Sequence, residues 1–302
     1  MAMTTSTSPR PASTSRSTAG TAARSRRRAD RPRKEVHMGR SPSEHASGAV
    51  AHGLTIRYRR AATAAVDDVT LRFDNGVNAL VGRNGAGKTT LLNAIVTMQR
   101  VHAGQLSVLG VNLPATERDR LQLMRQVGFL PQQFGYIPGF TVQEFLEYAA
   151  WLKRVPTTAR PEFIADALAL VDLTAHRRTK LGRLSGGMLR RAGIASAVVH
   201  RPRLLALDEP TAGLDPEQRI RFRDTLRGLA ADRCVVISSH LIEDVKAIAD
   251  HVLVMEGGRA VFAGSVPEML AEEDPKMPGD TPLERAYTAL VQRANQTRQA
   301  SA

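Results

Sequence analysis

The chain has 302 residues and a formal net charge of +13, long enough for one large domain or two small ones. Its 42% apolar content suits a globular protein with a full core, whereas 4% aromatics argues against an aromatic stacking platform for nucleic acid. A single cysteine, Cys234, excludes an internal disulfide or a cysteine-based metal cluster and fits a reducing compartment, and no apolar run approaches the eighteen residues of a transmembrane helix.

The charge is uneven: residues 1–40 hold ten Lys or Arg against two acids, a surplus of +8. Residues 1–48 are rich in small polar residues and proline without apolar periodicity, which predicts a disordered basic leader. It lacks the apolar core of a signal peptide. A basic tail of this kind could meet anionic lipid or nucleic acid. Met38 stands just before the patterned sequence, so translation is expected to start there, leaving residues 1–37 dispensable.

From Ala49 the pattern changes. Leu54–Tyr58 and Val66–Phe73 alternate as strands, Asn75-Gly76 marks a turn, and Val77–Val81 is a short apolar strand. This strand runs into a glycine-rich loop and then a helix over Lys88–Thr97. Strands are expected at Gln105–Leu109 and Val127–Pro131, followed by a helical stretch from Thr141 to Leu173 carrying apolar residues at helical spacing. A helix from Gly186 to His200 precedes a buried strand at Leu204–Leu207. Next come a helix over Pro216–Ala231, a buried strand at Val235–Ser238 and a helix over Leu241–Ala249. Val252–Met255 and Ala260–Phe262 flank Gly257-Gly258 as a hairpin, and two short helices near Val266–Glu272 and Pro282–Arg293 finish the chain. Strands alternating with helices predict an α/β fold with a mainly parallel sheet covered on both faces, and no internal repeat is present. The expected division is a leader (1–48), a globular unit (49–265) with a helical lobe inserted at about 134–183, and a short helical extension (266–302).

The strongest chemical signal is Gly82-Arg-Asn84-Gly85-Ala86-Gly87-Lys88-Thr89-Thr90, a phosphate-loop pattern lying between a strand and a helix. Gly85 and Gly87 let the backbone wrap a phosphate with its N–H groups inward, and the helix start adds its positive end. Lys88 should reach the β- and γ-phosphates of ATP, Thr89 should place its hydroxyl on Mg2+, and Thr90 should support the loop or the α/β-phosphates. The apolar strand Leu204–Leu207 ends in Asp208-Glu209, two carboxylates that are costly there without positive charge nearby. Asp208 is the candidate metal holder and Glu209 the candidate for polarising an attacking water. Leu184-Ser185-Gly186-Gly187-Met188 reads as a helix start capped by Ser185, with free N–H groups that favour an anion.

Taken together, residues 50–265 resemble the ATP-binding-cassette family. Val127–Gln132 resembles its glutamine loop, Leu184–Met188 its signature, Gly213-Leu-Asp215 its cross-dimer loop and Val235–His240 its strand and switch histidine, all in the family's order. Tyr58 lies where such proteins place an aromatic ring against adenine. The resemblance implies a P-loop NTPase fold with an antiparallel β subdomain and an inserted helical subdomain. It implies two subunits closing head to tail, as a homodimer, over two ATP molecules, with Ser185 and Gly187 meeting the γ-phosphate in trans and Gly186 between them in the nucleotide-binding turn. Gln132 would sense Mg2+ and the water, and His240 would hold the γ-phosphate and orient Glu209. Met188 departs from the glutamine that usually ends the signature, which makes that contact less polar.

The stretches 134–144 and 283–291 resemble exporter-type bacterial ATPases, and the short segment after His240 argues against the sugar-importer branch. The expected job is therefore ATP hydrolysis driving export through a separate integral membrane permease docked near Gln132. The expected location is the cytoplasmic face of the membrane, with no stable nucleic-acid partner. The alternative is a stand-alone cassette acting on ribosomes or nucleic acid.

Overall fold

The structure, a computed structural model, describes residues 48–59 and 61–300. The leader and the Met38 start lie outside the described residues, except for Gly48 at the leader's edge. Ten strands are described: β1 (Ala49–Ile56), β2 (Val66–Phe73), β3 (Gly76–Val81), β4 (Ala103–Val108), β5 (Val111–Leu113), β6 (Val127–Leu130), β7 (Leu204–Leu207), β8 (Cys234–Ser239), β9 (His251–Glu256) and β10 (Arg259–Ser265). They form two sheets. One is antiparallel with order β2-β1-β4-β5; the other runs β10-β9-β3-β8-β7-β6 and is parallel apart from the β9–β10 hairpin. The helices are α1 (Lys88–Ile95), α2 (Glu117–Met124), α3 (Val142–Leu152), α4 (Arg160–Leu170), α5 (Gly186–Val198), α6 (Pro216–Ala230), α7 (Ile242–Ile248), α8 (Val266–Leu270) and α9 (Pro282–Gln299). Among the described residues no helix is long and apolar enough to cross a membrane.

Strand side chains alternate between the faces of the larger sheet, and that alternation builds two cores. Val77, Ala79 and Val81 of β3, Leu205 and Leu207 of β7, and Val235 and Ile237 of β8 join one apolar cluster with α5, α6 and α7. Leu80, Leu204, Ala206, Cys234 and Val236 face the other way, into a cluster with α1 and the antiparallel sheet. Cys234 is fully buried, and burial, helped by Asp74, pushes its thiol up to about 12.

Several expectations need correction. The first strand starts at Ala49 and stops at Ile56, so Tyr58 lies beyond it in the following loop. The helical stretch 141–173 is two helices, broken where Arg154 takes φ +58 just before Pro156, a position that cannot extend a helix. Two elements gave no readable pattern: α2 buries only Leu123, and β5 is three residues long with none fully buried. Between β6 and β7, which pair directly, α3, α4 and α5 pack on one another. Leu146, Ile164 and Leu168 from these helices belong to the first core. The last helix extends to Gln299, fixed at its start by a Thr281–Glu284 capping box.

Behind β6, Lys153 Nζ donates to the carbonyls of Met124 and Val127, both at 2.7 Å, while His200 Nε2 lies 3.2 Å from the same Val127 oxygen. Burial, reinforced by the Lys153 charge, pushes His200 down to about 3, against an ordinary value of about 6.5. The unfolded chain therefore binds a proton that the folded one refuses. Stability is fully present above about pH 6.5 and is lost as pH falls toward 3, by up to about 1.4 kcal/mol per unit. His200→Gln should remove that loss, so urea melts at pH 7 and pH 5 should show the variant falling by about 2 kcal/mol less than the parent. Equal losses would show that His200 is protonated without cost.

Candidate nucleotide site

The parallel strands β3, β6, β7 and β8 deliver the glycine loop, Gln132, Asp208–Glu209 and His240 to one end of the sheet. β3 leads into the glycine loop, whose path leaves no room for side chains at two positions. A Cβ on Gly82 would stand 2.3 Å from the Met255 carbonyl oxygen. Gly87 sits at φ +102, where a Cβ would come within 2.2 Å of the Ala65 carbonyl. Gly87→Ala would therefore combine left-handed strain with a backbone clash. Its cost should be about 2–4 kcal/mol in a denaturant melt, with ATP binding lost. An unchanged midpoint would mean that the loop can shift freely.

Gly87 is also the N-cap of α1 and supplies no side chain, so the first amides of the helix remain open toward the loop. Asn84 and Gly85 are exposed at the loop's tip, whereas Ala86 is buried and its carbonyl accepts from Gly258 N at 3.1 Å. Lys88, only 5% exposed, donates to the carbonyls of Gly82 (2.6 Å) and Arg83 (3.1 Å), which lays its ammonium along the inside of the loop. Burial lowers the Lys88 ammonium below its ordinary range, and Glu209 and Asp208 oppose that shift. Tyr58 reaches the loop's far side, its hydroxyl 3.0 Å from that of Thr90.

The carboxylates arrive from β7. Asp208 is buried, its Oδ2 accepting from Thr89 Oγ1 at 2.8 Å and its Oδ1 from Ser238 Oγ. The Ser238 hydroxyl in turn accepts from Glu209 N at 2.8 Å. Glu209 adopts φ +46, a left-handed conformation that a side-chain-bearing residue holds only under constraint, as at functional sites. Its Oε1 lies 3.2 Å from His240 Nδ1, and its Oε2 accepts from Gln132 Nε2 at 3.1 Å. Six predicted residues thus converge: Lys88, Thr89, Asp208, Glu209, Gln132 and His240. Ser238 went unrecognised because one hydroxyl in an apolar strand carries no local signal. Its role comes from the parallel register that sets Leu207 against Ile237, and so Asp208 beside Ser238.

Ser185, Gly186 and Gly187 stand apart from this cluster. Ser185 caps α5, its hydroxyl accepting from Met188 N at 3.3 Å. Gly187 is closed in by Gln218, whose amide oxygen would lie 2.1 Å from a Cβ there. Among the described residues no hydrogen bond joins these three to the phosphate loop. The arrangement places a buried ammonium and open amides opposite two carboxylates, suited to a polyanion accompanied by a hard cation. Among the described residues no group of three His, Cys, Asp or Glu forms a metal cage. The paired Thr89 hydroxyl and Asp208 carboxylate match instead an ion that takes few protein oxygens and draws the rest from phosphate and water, as Mg2+ does.

A family model described as ABC transporter matches residues 66–212. The uncharacterised ABC transporter ATP-binding protein YxlF of Bacillus subtilis (strain 168) is 33% identical over 200 residues, covering 66% of this chain and 65% of that protein. The Nod factor export ATP-binding protein I of Burkholderia orbicola (strain AU 1054) is 36% identical over 65% of this chain and 63% of its own length. For the molybdenum import ATP-binding protein ModC of Aromatoleum aromaticum (strain DSM 19018 / LMG 30748 / EbN1), identity is 39% over 66% of this chain and 53% of that protein. The chain thus spans between about half and two thirds of these relatives. Among solved structures, the ATP-binding subunit of an ABC transporter superposes with a TM-score of 0.70 at 22% identity, over 80% of this chain and 98% of that one. The dimeric structure of a bacterial ABC transporter cassette gives 0.65 at 22% identity, over 72% of this chain and 98% of its own. At such identities these two speak for the fold.

Proposed function

We propose that this chain, a member of the ABC transporter family, is an ATP-binding and ATP-hydrolysing subunit that powers export of a substrate through a separate membrane permease. The observation that carries the ATPase reading is the convergence of Lys88 and Thr89 on the Asp208–Glu209 strand end, with Gln132 and His240 each against a different oxygen of Glu209. In this reading Gly82, Asn84, Gly85, Ala86, Gly87 and Thr90 line the phosphates with backbone and hydroxyl donors, Lys88 spans the outer two, and Tyr58 faces the base. Thr89, Asp208 and Gln132 would hold Mg2+, whose chemistry is to neutralise charge on the phosphate oxygens. Glu209 takes the proton of an attacking water, and His240, a donor and an acceptor across one ring, holds Glu209 and the γ-phosphate in line.

Among the described residues Ser185, Gly186 and Gly187 make no hydrogen bond to this cluster: Ser185 caps its own helix and Gly187 packs on Gln218. That supports a second copy of the chain supplying its α5 start from across a head-to-tail dimer; the cassette of similar fold is itself described as dimeric. Export is supported by the likeness of segments 134–144 and 283–291 to exporter ATPases. The relatives' names include both an exporter and an importer subunit. Exposed Tyr136, Ile137, Tyr148, Trp151 and Leu152 beside the glutamine loop suit the permease contact, on the cytoplasmic side of the membrane.

Co-purification from native membranes tests the proposal. A multi-span integral protein should be recovered with the chain, and Mg-ATP hydrolysis should follow the complex. Recovery of ribosomes or nucleic acid instead, with binding that weakens as salt rises, would replace the transport reading with the stand-alone one.

A further inference from the structure

Arg190 lies on α5, five residues after the Ser185 cap, and is 7% exposed despite its charge. Its guanidinium faces carbonyls from two separate segments. Nη1 donates to Pro131 (3.0 Å) and Gln132 (2.9 Å), Nη2 to Asp208 (2.6 Å) and Glu209 (2.9 Å), and Nε to Pro210 (3.4 Å). Five acceptors thus meet the five N–H donors that arginine carries in a fixed plane. Burial lowers the guanidinium from its ordinary range, opposed by Asp208 and Glu209. A charge so placed is tolerated only when its hydrogen bonds are complete.

The bonds fall on the peptide groups either side of Glu209, the residue held at φ +46, and on the carbonyl of Gln132, whose side chain donates to Glu209. We propose that Arg190 is a positioning residue for hydrolysis: its planar fork locks the peptides flanking Glu209 and holds Gln132 in register with them, so that the carboxylate is preset toward the attacking water. The inference rests on the ATPase reading of Glu209. It also ties the first turns of α5, which carry Ser185–Gly187, to the cluster in the same subunit. A lysine keeps the charge but offers donors from a single point and cannot span both segments.

The test uses the full chain as isolated from membranes, with ATP turnover and Mg-ATP affinity measured on the same preparations. Arg190→Lys should lower kcat about tenfold and Arg190→Gln about a hundredfold, with KM and ATP affinity within about threefold of the parent. In a Glu209→Gln background, Arg190→Lys should cost nothing further in a single turnover, because the group it positions is already gone. If Arg190→Gln does not fold, the lysine variant decides. A folded Arg190→Lys with parental kcat, a parallel fall in kcat and ATP affinity, or independent losses in the double variant would each overturn the proposal. A parent chain that binds no ATP would bring down the ATPase reading and this inference with it, whereas a parent that turns over normally isolates any failure to Arg190.

Discussion

Glu209→Gln should reduce ATP turnover by about 10²–10³-fold while leaving nucleotide binding nearly intact, since a positioned base contributes on that scale. The amide is isosteric, so the left-handed turn at φ +46 and the carbonyl bonds to Arg190 persist. What changes is the pair of oxygens. In the parent, one accepts from Gln132 Nε2 and the other faces His240 Nδ1; an amide supplies one acceptor and one donor and cannot take up a water proton. ATP that binds but is not consumed should hold two copies together, so light scattering with saturating Mg-ATP should report a stable dimer. A monomer under those conditions, or turnover near that of the parent, would remove Glu209 from its assigned role.

Lys88→Ala should weaken ATP binding about 10²–10³-fold and abolish measurable turnover. The ammonium is laid along the loop by the Gly82 and Arg83 carbonyls and balances the field of Asp208 and Glu209. Two charge-assisted bonds to phosphate, at about 1.5–3 kcal/mol each less the desolvation recovered, account for a loss of that size. Removing the charge also leaves two carboxylates facing a nucleotide that carries the same sign. Titration calorimetry on folded variant and parent decides the matter, and equal affinities would show that the loop's amides bind phosphate without help from the side chain.

How much of this could be read in advance depended on whether the signal was local. β7 matches its expected range at both ends, Leu204–Leu207, because an unbroken apolar run stops at two acids. The glycine loop, the Gly257-Gly258 hairpin and the Ser185 cap are likewise written in adjacent residues. By contrast, α2 exposes nearly all of its surface and so shows no apolar stripe, and Tyr58 falls outside the strand that its alternation had suggested. Ser238 and Arg190 matter through neighbours about thirty and about sixty positions away, at Asp208 and Pro131, and no window of sequence contains both members of either contact. Local chemistry named the ligands' near neighbours; strand register for Ser238, and the packing of α5 for Arg190, set the residues that hold them still.

Strand order within the larger sheet also bears on how the protein is made. β3, which presents the glycine loop, is flanked only by β8 and β9, and these follow it by more than 150 residues. A nascent polypeptide released as far as α5 has its lysine and its threonine but neither flanking strand. Competence to grip nucleotide should therefore switch on late in translation, once β9 has emerged from the ribosome, and a truncated product would be inert rather than a partly working motor that drains cellular ATP.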